Sequence, residues 1–542
     1  MKFNERFREF ELPDIAFKES IVINKLGPYA VRGKLPELYW NRVRYCLDKV
    51  TEQSGIRKAY EEFQRQLTYP YVPVDTVRFP GEIPNHTPTE TVVKPYQMEA
   101  IRHMVNGSML LGDDLGLGKT LCALWSWYSL YTLFKQKGKV FRLTVFTPSE
   151  EVADEWNIAL RTHINKKARV RILDKDRSNL EECYGSTIVV VPYFRCWREG
   201  FREVLRYRAK QYPNAFVLDE CHRLAYVTST QHRFVAGLIK DNPSLRVWAL
   251  SGTEVANTPE TYCGVYRLVT RSSITVSDWK TYLTKAQSGN NAWVPKRLSQ
   301  IGVMRKGFAM RRTVKDIQME LPPLTEVTLK CDMHPLQREI YMSLEQEARA
   351  ELVTLGDKVK TLTGMHHWTV ALRCAQFCSH PILLEESRIE TTPKWDRLEL
   401  LMEEAGERKT LIWSNFPKTI EWLAARLRDK FQDKRVEFAH GGIGKEERNR
   451  LKHAMQAGEV DILIANPAIW GEGVNLTEAS INVYWDYHAS RTRWEQSRKR
   501  SHRQGQKRPV IIYRLVHNAS VEERCLRWLE RKGKLAQLIT GN

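Results

Sequence analysis

Apolar residues come in short runs along two stretches of this chain. In residues 96–270 the runs are SMLLG (108–112), RLTVFTP (142–148), TIVVVP (187–192), AFVLDE (215–220) and RVWALSG (246–252), with helical patterns between them. The alternation returns in residues 396–542 with KTLIWS (409–414), RVEFAH (435–440), VDILIAN (460–466), INVYWD (481–486) and VIIYRLV (510–516). Apolar runs of strand length between helices predict parallel sheets covered by helices on both faces. Residues 271–395 lack the alternation and read as mostly helical. The pattern therefore predicts an α/β chain, with two parallel-sheet lobes of similar design and a helical region between them. Open parallel sheets bind ligands in the loops at the carboxyl ends of their strands, so chemistry is sought just after each run.

Residues 1–69 open with a β-rich stretch, SIVINKLGPYAVRG, followed by a helical pattern from Leu38 to Leu67. A small α+β N-terminal domain is expected there, and a DNA-structure-reading role and a plain packing role fit it equally. Residues 70–95 carry Pro70, Pro73, Pro80, Pro84, Pro88 and Pro95. Proline at that density interrupts helices and central strands alike and predicts a linker.

The chain has 84 Lys and Arg against 64 Asp and Glu, a formal net charge of +20 that favours an anionic partner such as nucleic acid. No stretch approaches the ~20 apolar residues of a membrane span. The nearest, Leu121 to Phe134, is shorter and contains Ser126 and Ser129. The start, MKFNERFREF, has charges where a signal peptide has its apolar core. Ten scattered cysteines suit a reducing compartment. A cytoplasmic location in a bacterial or phage-infected cell is expected, nuclear if the host is eukaryotic. Cys374 and Cys378 lie near His366, His367 and His380. With no C-x-x-C and no second pair, a packed helical segment is the better reading than zinc.

The run SMLLG leads into Gly112-Asp113-Asp114-Leu115-Gly116-Leu117-Gly118-Lys119-Thr120 and then a helix. Glycines let the backbone turn its N–H groups toward a phosphate, and the helix N-terminus adds partial positive charge. Gly116 and Gly118 would shape this cradle for a nucleotide. Lys119 would reach the β- and γ-phosphates, and the Thr120 hydroxyl would ligate Mg²⁺. About 100 residues later Asp219 and Glu220 leave an apolar strand. A carboxylate there can hold Mg²⁺ and its neighbour can activate the attacking water. Asp219 is assigned to the metal and Glu220 to the water.

These residues resemble the superfamily-two helicase motors with their two RecA-like lobes, and within them the Snf-type, chromatin-remodeller-like DNA translocases. The resemblance runs over about 92–535. Lys94-Pro95-Tyr96-Gln97 resembles that family's adenine-reading motif, which implies Gln97 as a nucleotide contact. Asp113 stands where the family carries aspartate in its first motif, and is counted with the cofactor-binding residues. DECHRL (219–224) resembles the DEAHRL box. Leu250-Ser251-Gly252-Thr253 and Asn257 resemble the third motif, with Glu254 in place of the usual proline. AMRRTVKDIQMELPPLTE (309–326), with its paired arginines and Leu-Pro-Pro-x-Thr-Glu, resembles the signature between the lobes. Cys378-Ser379-His380-Pro381 resembles a segment just beyond it, and accounts for the Cys/His grouping without a metal.

ANPAIWGEGVNLTEA (465–479) resembles the fifth motif, which implies close backbone approach at Gly473. QSRKRSHRQGQ (496–506) resembles the sixth. It implies Arg500 and Arg503 as an arginine-finger pair reaching the γ-phosphate, with Gln496 near the attacking water. Ala489-Ser490-Arg491 stands where the family usually has Trp-Asn-Pro. The resemblance also implies DNA-facing loops containing Thr147 and Pro148, Gly252 and Thr253, Ser414 and Asn415, and Asn475 to Thr477.

The implied function is an ATP- and Mg²⁺-dependent translocase on double-stranded or branched DNA, with fork remodelling as a specialised form. It would be monomeric and off the membrane. Only residues 517–542 follow the last run, which favours a compact bacterial or phage motor over a dedicated nucleosome remodeller. Two alternatives stay open. One is a strand-separating helicase on DNA or RNA. The other is a nucleotide-gated DNA clamp that does not move.

Overall fold

A computed structural model describes residues 2–4, 9–11, 34–36, 83–84 and 87–540. The last range has gaps at 166–170, 173–179, 212, 241, 243, 256–257, 273, 286–292, 315, 318–320, 355–361, 384–388, 390, 471–475, 488–489 and 504. The chain forms two compact units, residues 1–319 with 534–542, and residues 320–533.

In the first unit, β1 (Lys2–Asn4), β2 (Glu9–Glu11) and β3 (Lys34–Pro36) form an antiparallel sheet. The stretches at 20–33 and 38–67, and most of the proline-rich segment, lie outside the described residues. Pro95 begins the helix Pro95–Asn106 at its first turn, where its missing N–H costs nothing. The main sheet comprises β4 (Met109–Leu111), β5 (Arg142–Thr147), β6 (Arg171–Ile172), β7 (Ile188–Pro192), β8 (Asn214–Leu218), β9 (Arg246–Leu250) and β10 (Ala309–Met310). All pairings are parallel, in the order β10-β4-β9-β8-β5-β7-β6.

Successive residues of a strand point to opposite faces, and here each face has its own core. Leu110, Val189, Val191, Phe216, Leu218, Val247 and Ala249 enter one cluster. Met109, Leu111, Val190, Val217, Trp248 and Leu250 enter the other. Burial on both faces is why these strands read as unbroken apolar runs.

The second unit repeats the design with β11 (Leu324–Cys331), β12 (Thr410–Trp413), β13 (Val436–Ala439), β14 (Ile462–Ala465), β15 (Ile481–Tyr484) and β16 (Val510–His517). Their order is β11-β16-β15-β12-β14-β13, again all parallel. Leu411, Trp413 and Leu463 pack on one face, and Ile412, Ile462 and Ile464 on the other.

Among the described residues, 271–395 hold four helices of eight or more residues, Val276–Leu283, Pro295–Arg305, Pro335–Thr354 and Leu362–Ser379. They also supply two strands that the helical reading omits. β10 is two residues long, and β11 is an edge strand with exposed positions along it. Neither makes the continuous apolar run that marks a central strand.

No described helix is long and apolar enough to cross a membrane. The helix Lys119–Gln136 is apolar because it is buried within its unit, and its Ser126 and Ser129 hydroxyls donate to backbone carbonyls one turn back. Cys374 and Cys378 are buried with Tyr341 and Phe377 in a small apolar cluster. Among the described residues no grouping of acids, histidines and cysteines is arranged to hold a metal.

Candidate nucleotide site

The strand order sets β4, β9 and β8 side by side, so the loops at their carboxyl ends converge. The first is the glycine-rich turn. Gly116 and Gly118 have φ of 89° and 83°, a region that strains any residue with a Cβ. A side chain at 118 would also meet Gln97, whose Nε2 would lie 2.4 Å from the added carbon. Buried Gln97 braces the turn, with Nε2 donating to the Leu117 carbonyl at 3.0 Å and Oε1 accepting from the Lys94 N–H at 3.0 Å. Lys119 curls back over the turn and donates from Nζ to the carbonyls of Asp113 at 2.8 Å and Asp114 at 3.2 Å. The cation is thus held over the turn, where phosphate oxygens can replace those carbonyls. Thr120 follows on the first turn of the helix, half-buried.

Asp113 points elsewhere. It is buried, and its carboxylate accepts from Arg312 through Nε at 3.1 Å, Nη2 at 2.5 Å and the backbone N–H at 2.9 Å.

The second loop carries the acidic pair. Asp219 Oδ1 accepts from the Glu220 N–H at 3.0 Å, and Oδ2 accepts from Trp156 Nε1 at 2.8 Å. The Tyr193 hydroxyl donates to the Asp219 carbonyl at 2.9 Å. Burial and then the neighbouring Glu220 charge push the Asp219 carboxyl up to about 7, against the Trp156 hydrogen bond and the Lys119 charge. Glu220 has φ of 47°, a left-handed conformation uncommon outside glycine that turns the chain sharply after the strand.

The third loop joins the second. Ser251 donates to Glu220 Oε2 at 3.4 Å, and the Glu220 carboxylate also faces His222 Nδ1 at 3.2 Å. His222 Nδ1 lies 3.1 Å from Ser251 Oγ and 3.4 Å from Thr253 Oγ1. Gly252 is buried, and a Cβ there would meet the Leu115 side chain of the glycine-rich turn at 3.0 Å.

Hard oxygen donors on Thr120 and Asp219 suit Mg²⁺, which keeps several waters and takes few protein ligands. With Lys119 poised over the turn, these are groups of the kind that fit a magnesium nucleotide.

The second unit holds the sixth-motif residues. The helix Arg491–Arg498 is capped by Ser490, and Gln496 on it is buried with Nε2 unbonded among the described residues. Arg500 is buried and its carbonyl accepts from the Leu476 N–H at 3.2 Å. Half-buried Arg503 follows, its carbonyl accepting from the Gln506 N–H at 3.0 Å. Arg498 is committed instead to an ion pair with Glu326. Gly473 and Asn475 lie outside the described residues, as does Asn257.

The residues expected to face DNA are mostly anchored within their own unit. Thr147 is fully buried with Oγ1 donating to the Ser149 carbonyl at 3.0 Å, and Pro148 is buried beside it. Ser414, also fully buried, donates to Asp486 at 2.6 Å. Asn415 donates to the same carboxylate from its backbone N–H at 2.8 Å and its side chain at 2.7 Å. Thr477 is half-buried. Asp486, Trp156 and the Arg312–Asp113 pair are supports that the sequence reading did not assign. Trp156 carries no sequence signal, whereas the paired arginines at 311–312 did.

Comparison with known proteins gives the family. The SNF2-related domain family matches residues 91–383, and the helicase conserved C-terminal domain matches residues 393–505. Among individual proteins, YwqA of Bacillus subtilis is 24% identical over 445 residues, 79% of this chain and 46% of its own length. The DNA repair and recombination protein RAD54-like of Drosophila persimilis is 23% identical over 517 residues, 83% of this chain and 64% of its own. The CHD3-type chromatin-remodeling factor PICKLE of Arabidopsis thaliana is 26% identical over 266 residues, 45% of this chain and 18% of its own. The chain thus spans less than two thirds of these relatives. A solved structure, the Sulfolobus solfataricus SWI2/SNF2 ATPase core in complex with dsDNA, is similar at 21% identity and a TM-score of 0.37, over 85% of this chain and 96% of that one. With its family match covering residues 91–383, this chain belongs to the SNF2-related family.

Proposed function

We propose that the chain is a DNA-dependent ATPase that couples ATP hydrolysis to movement along double-stranded DNA, including branched DNA. The observation that carries this reading is the convergence of the glycine-rich turn, the acidic pair and the Ser251–Thr253 loop at neighbouring strand ends of one sheet. Lys119 binds the β- and γ-phosphates by giving up its loop carbonyls. Thr120 and Asp219 would hold Mg²⁺, which neutralises charge on the phosphate oxygens. Glu220 orients and deprotonates the attacking water, and Ser251 and His222 fix its carboxylate.

Negative charge builds on the γ-phosphoryl oxygens in the transition state, and guanidinium groups there lower the barrier by on the order of 10³–10⁵ in rate in analogous GTPases. Arg500 and Arg503 are the residues we assign to that role, with Gln496 beside the water. Arginines carried on a separate unit make hydrolysis depend on closure, and DNA that favours closure stimulates it. Repeated closure and release then shifts the grip along the duplex. The net charge of +20 suits contacts to phosphates rather than base edges. Names such as "DNA repair and recombination protein" among the relatives support DNA as the track.

The test is an ATPase panel with duplex, single-stranded, forked and four-way-junction DNA and RNA, paired with triplex displacement. Duplex stimulation with displacement supports translocation. Stimulation by single strands alone favours the helicase, and hydrolysis without displacement favours the static clamp.

A further inference from the structure

A loop that cradles phosphates should carry little negative charge of its own, yet this one holds Asp113 and Asp114. The structure answers with three arginines from one segment, residues 305–312. Arg312 meets Asp113 in a bidentate pair, and Arg311 Nη2 faces Asp114 Oδ1 at 3.5 Å. Arg305 meets Glu254, with Nε donating to Oε2 at 2.5 Å and Nη2 to Oε1. Each arginine is matched to a different carboxylate, and Arg312 also reaches Glu99 at 3.2 Å.

The segment also grips the backbone of the turn. The Gly112 N–H donates to the Met310 carbonyl at 2.7 Å, and the Asp114 N–H to the Arg312 carbonyl at 2.9 Å. Arg311 Nη1 donates to the carbonyls of Gly112 at 3.1 Å and Gly252 at 3.4 Å, bridging the first and third loops. Glu254 fills the space where a side chain on Gly112 would stand. A Cβ there would fall 1.7 Å from Glu254 Oε1 and 2.4 Å from Cδ. The glutamate that replaces the usual proline is therefore seated against the residue that opens the nucleotide turn.

We infer that Arg305, Arg311 and Arg312 form a clasp under the nucleotide turn. They act as positioning residues that fix its opening and cancel its two carboxylates, so that the turn presents net positive potential to a polyphosphate. The inference rests on the nucleotide-site reading above and deepens it. A purely structural clasp would hold the loop by shape, and any loss of a partner would simply loosen the fold. An electrostatic clasp behaves differently. Removing the arginine alone leaves an uncompensated carboxylate near the phosphates, whereas removing both charges restores neutrality.

The experiment is a double-mutant cycle with Arg312→Met, Asp113→Asn and the two combined. It reads Kd for a fluorescent ATP analogue with Mg²⁺, together with Tm. Arg312→Met should weaken binding about tenfold or more, the scale of one like charge about 10 Å away at an effective dielectric of about 20. The double variant should regain most of that loss. A double variant that is folded yet binds as weakly as Arg312→Met overturns the proposal. If Arg312→Met does not fold, Arg311→Met and Asp114→Asn/Arg311→Met repeat the cycle at the less buried pair, with the same two outcomes. Failure of the underlying reading looks different: the wild-type chain would not bind the analogue, or Lys119→Ala would bind it as well as wild type.

Discussion

Replacing Trp156 with phenylalanine removes one hydrogen-bond donor from the acidic pair while leaving an aromatic ring in the core. The indole sits on the helix Glu150–His163, is 1% exposed and donates to Asp219 Oδ2 at 2.8 Å. Burial, and then the Glu220 charge, lift Asp219 from its ordinary 3.8 to about 7, and the indole opposes that rise. A hydrogen bond to a charged acceptor contributes about 1.5–3 kcal/mol. One pKa unit corresponds to about 1.4 kcal/mol. Losing the donor therefore raises the Asp219 carboxyl by about one to two pH units.

In the proposed role of Asp219 as a Mg²⁺ ligand its protonated form holds the metal poorly, so the acid limb of kcat/KM for ATP moves to higher pH. Well above that limb the rate changes little. The stability contribution has the matching sign. A carboxyl lifted on folding favours the folded state in acid, and that contribution is lost as pH rises from about 4 through about 7. The assay is a pH–rate profile of the wild-type chain and Trp156→Phe, with Tm measured at each pH. An acid limb that superimposes on wild type in a folded variant would refute the reasoning.

Lys119→Ala should abolish ATP hydrolysis in a steady-state assay while leaving Tm near wild type; near-normal turnover would misassign the turn. Lys394 and Glu522 form a buried ion pair in the second unit, and burial lifts Glu522 to about 7 despite the lysine. Lys394→Met should cost about 3–5 kcal/mol of stability in urea unfolding. The loss should be larger at pH 8 than at pH 6, because without Lys394 the buried Glu522 rises further and must take up a proton on folding, which costs more as pH rises; a pH-independent loss would contradict this. Affinity for duplex DNA should fall with salt at a log–log slope of about −0.9 per neutralised phosphate, and a flat response would exclude backbone recognition.

Both sheets were legible because their central strands are buried on both faces and so read as unbroken apolar runs. β10 and β11 escaped for the opposite reason, one being two residues long and the other lying exposed at an edge. The glycine-rich turn and the acidic pair stood out in sequence through their context, a Gly-Lys-Thr between strand and helix and two carboxylates ending a later strand of the same lobe, and the strand order sets their loops side by side. Their supports were not legible. Nothing about Trp156 in sequence says that it bonds a carboxylate 63 positions away. Glu254 could be marked only as a departure from proline. Its purpose emerges from Arg305 and from the empty side-chain space of Gly112. Ser414 shows the converse, since a small polar residue after a strand reads equally as a ligand contact and as an internal anchor, and it is bonded to Asp486.

The most direct measurement is the rate of ATP hydrolysis by the wild-type chain and by Arg503→Ala, each with and without duplex DNA, alongside DNA affinity. The account predicts DNA stimulation in the wild type, and in the variant its loss with DNA affinity retained. Equal stimulation in both chains would contradict it.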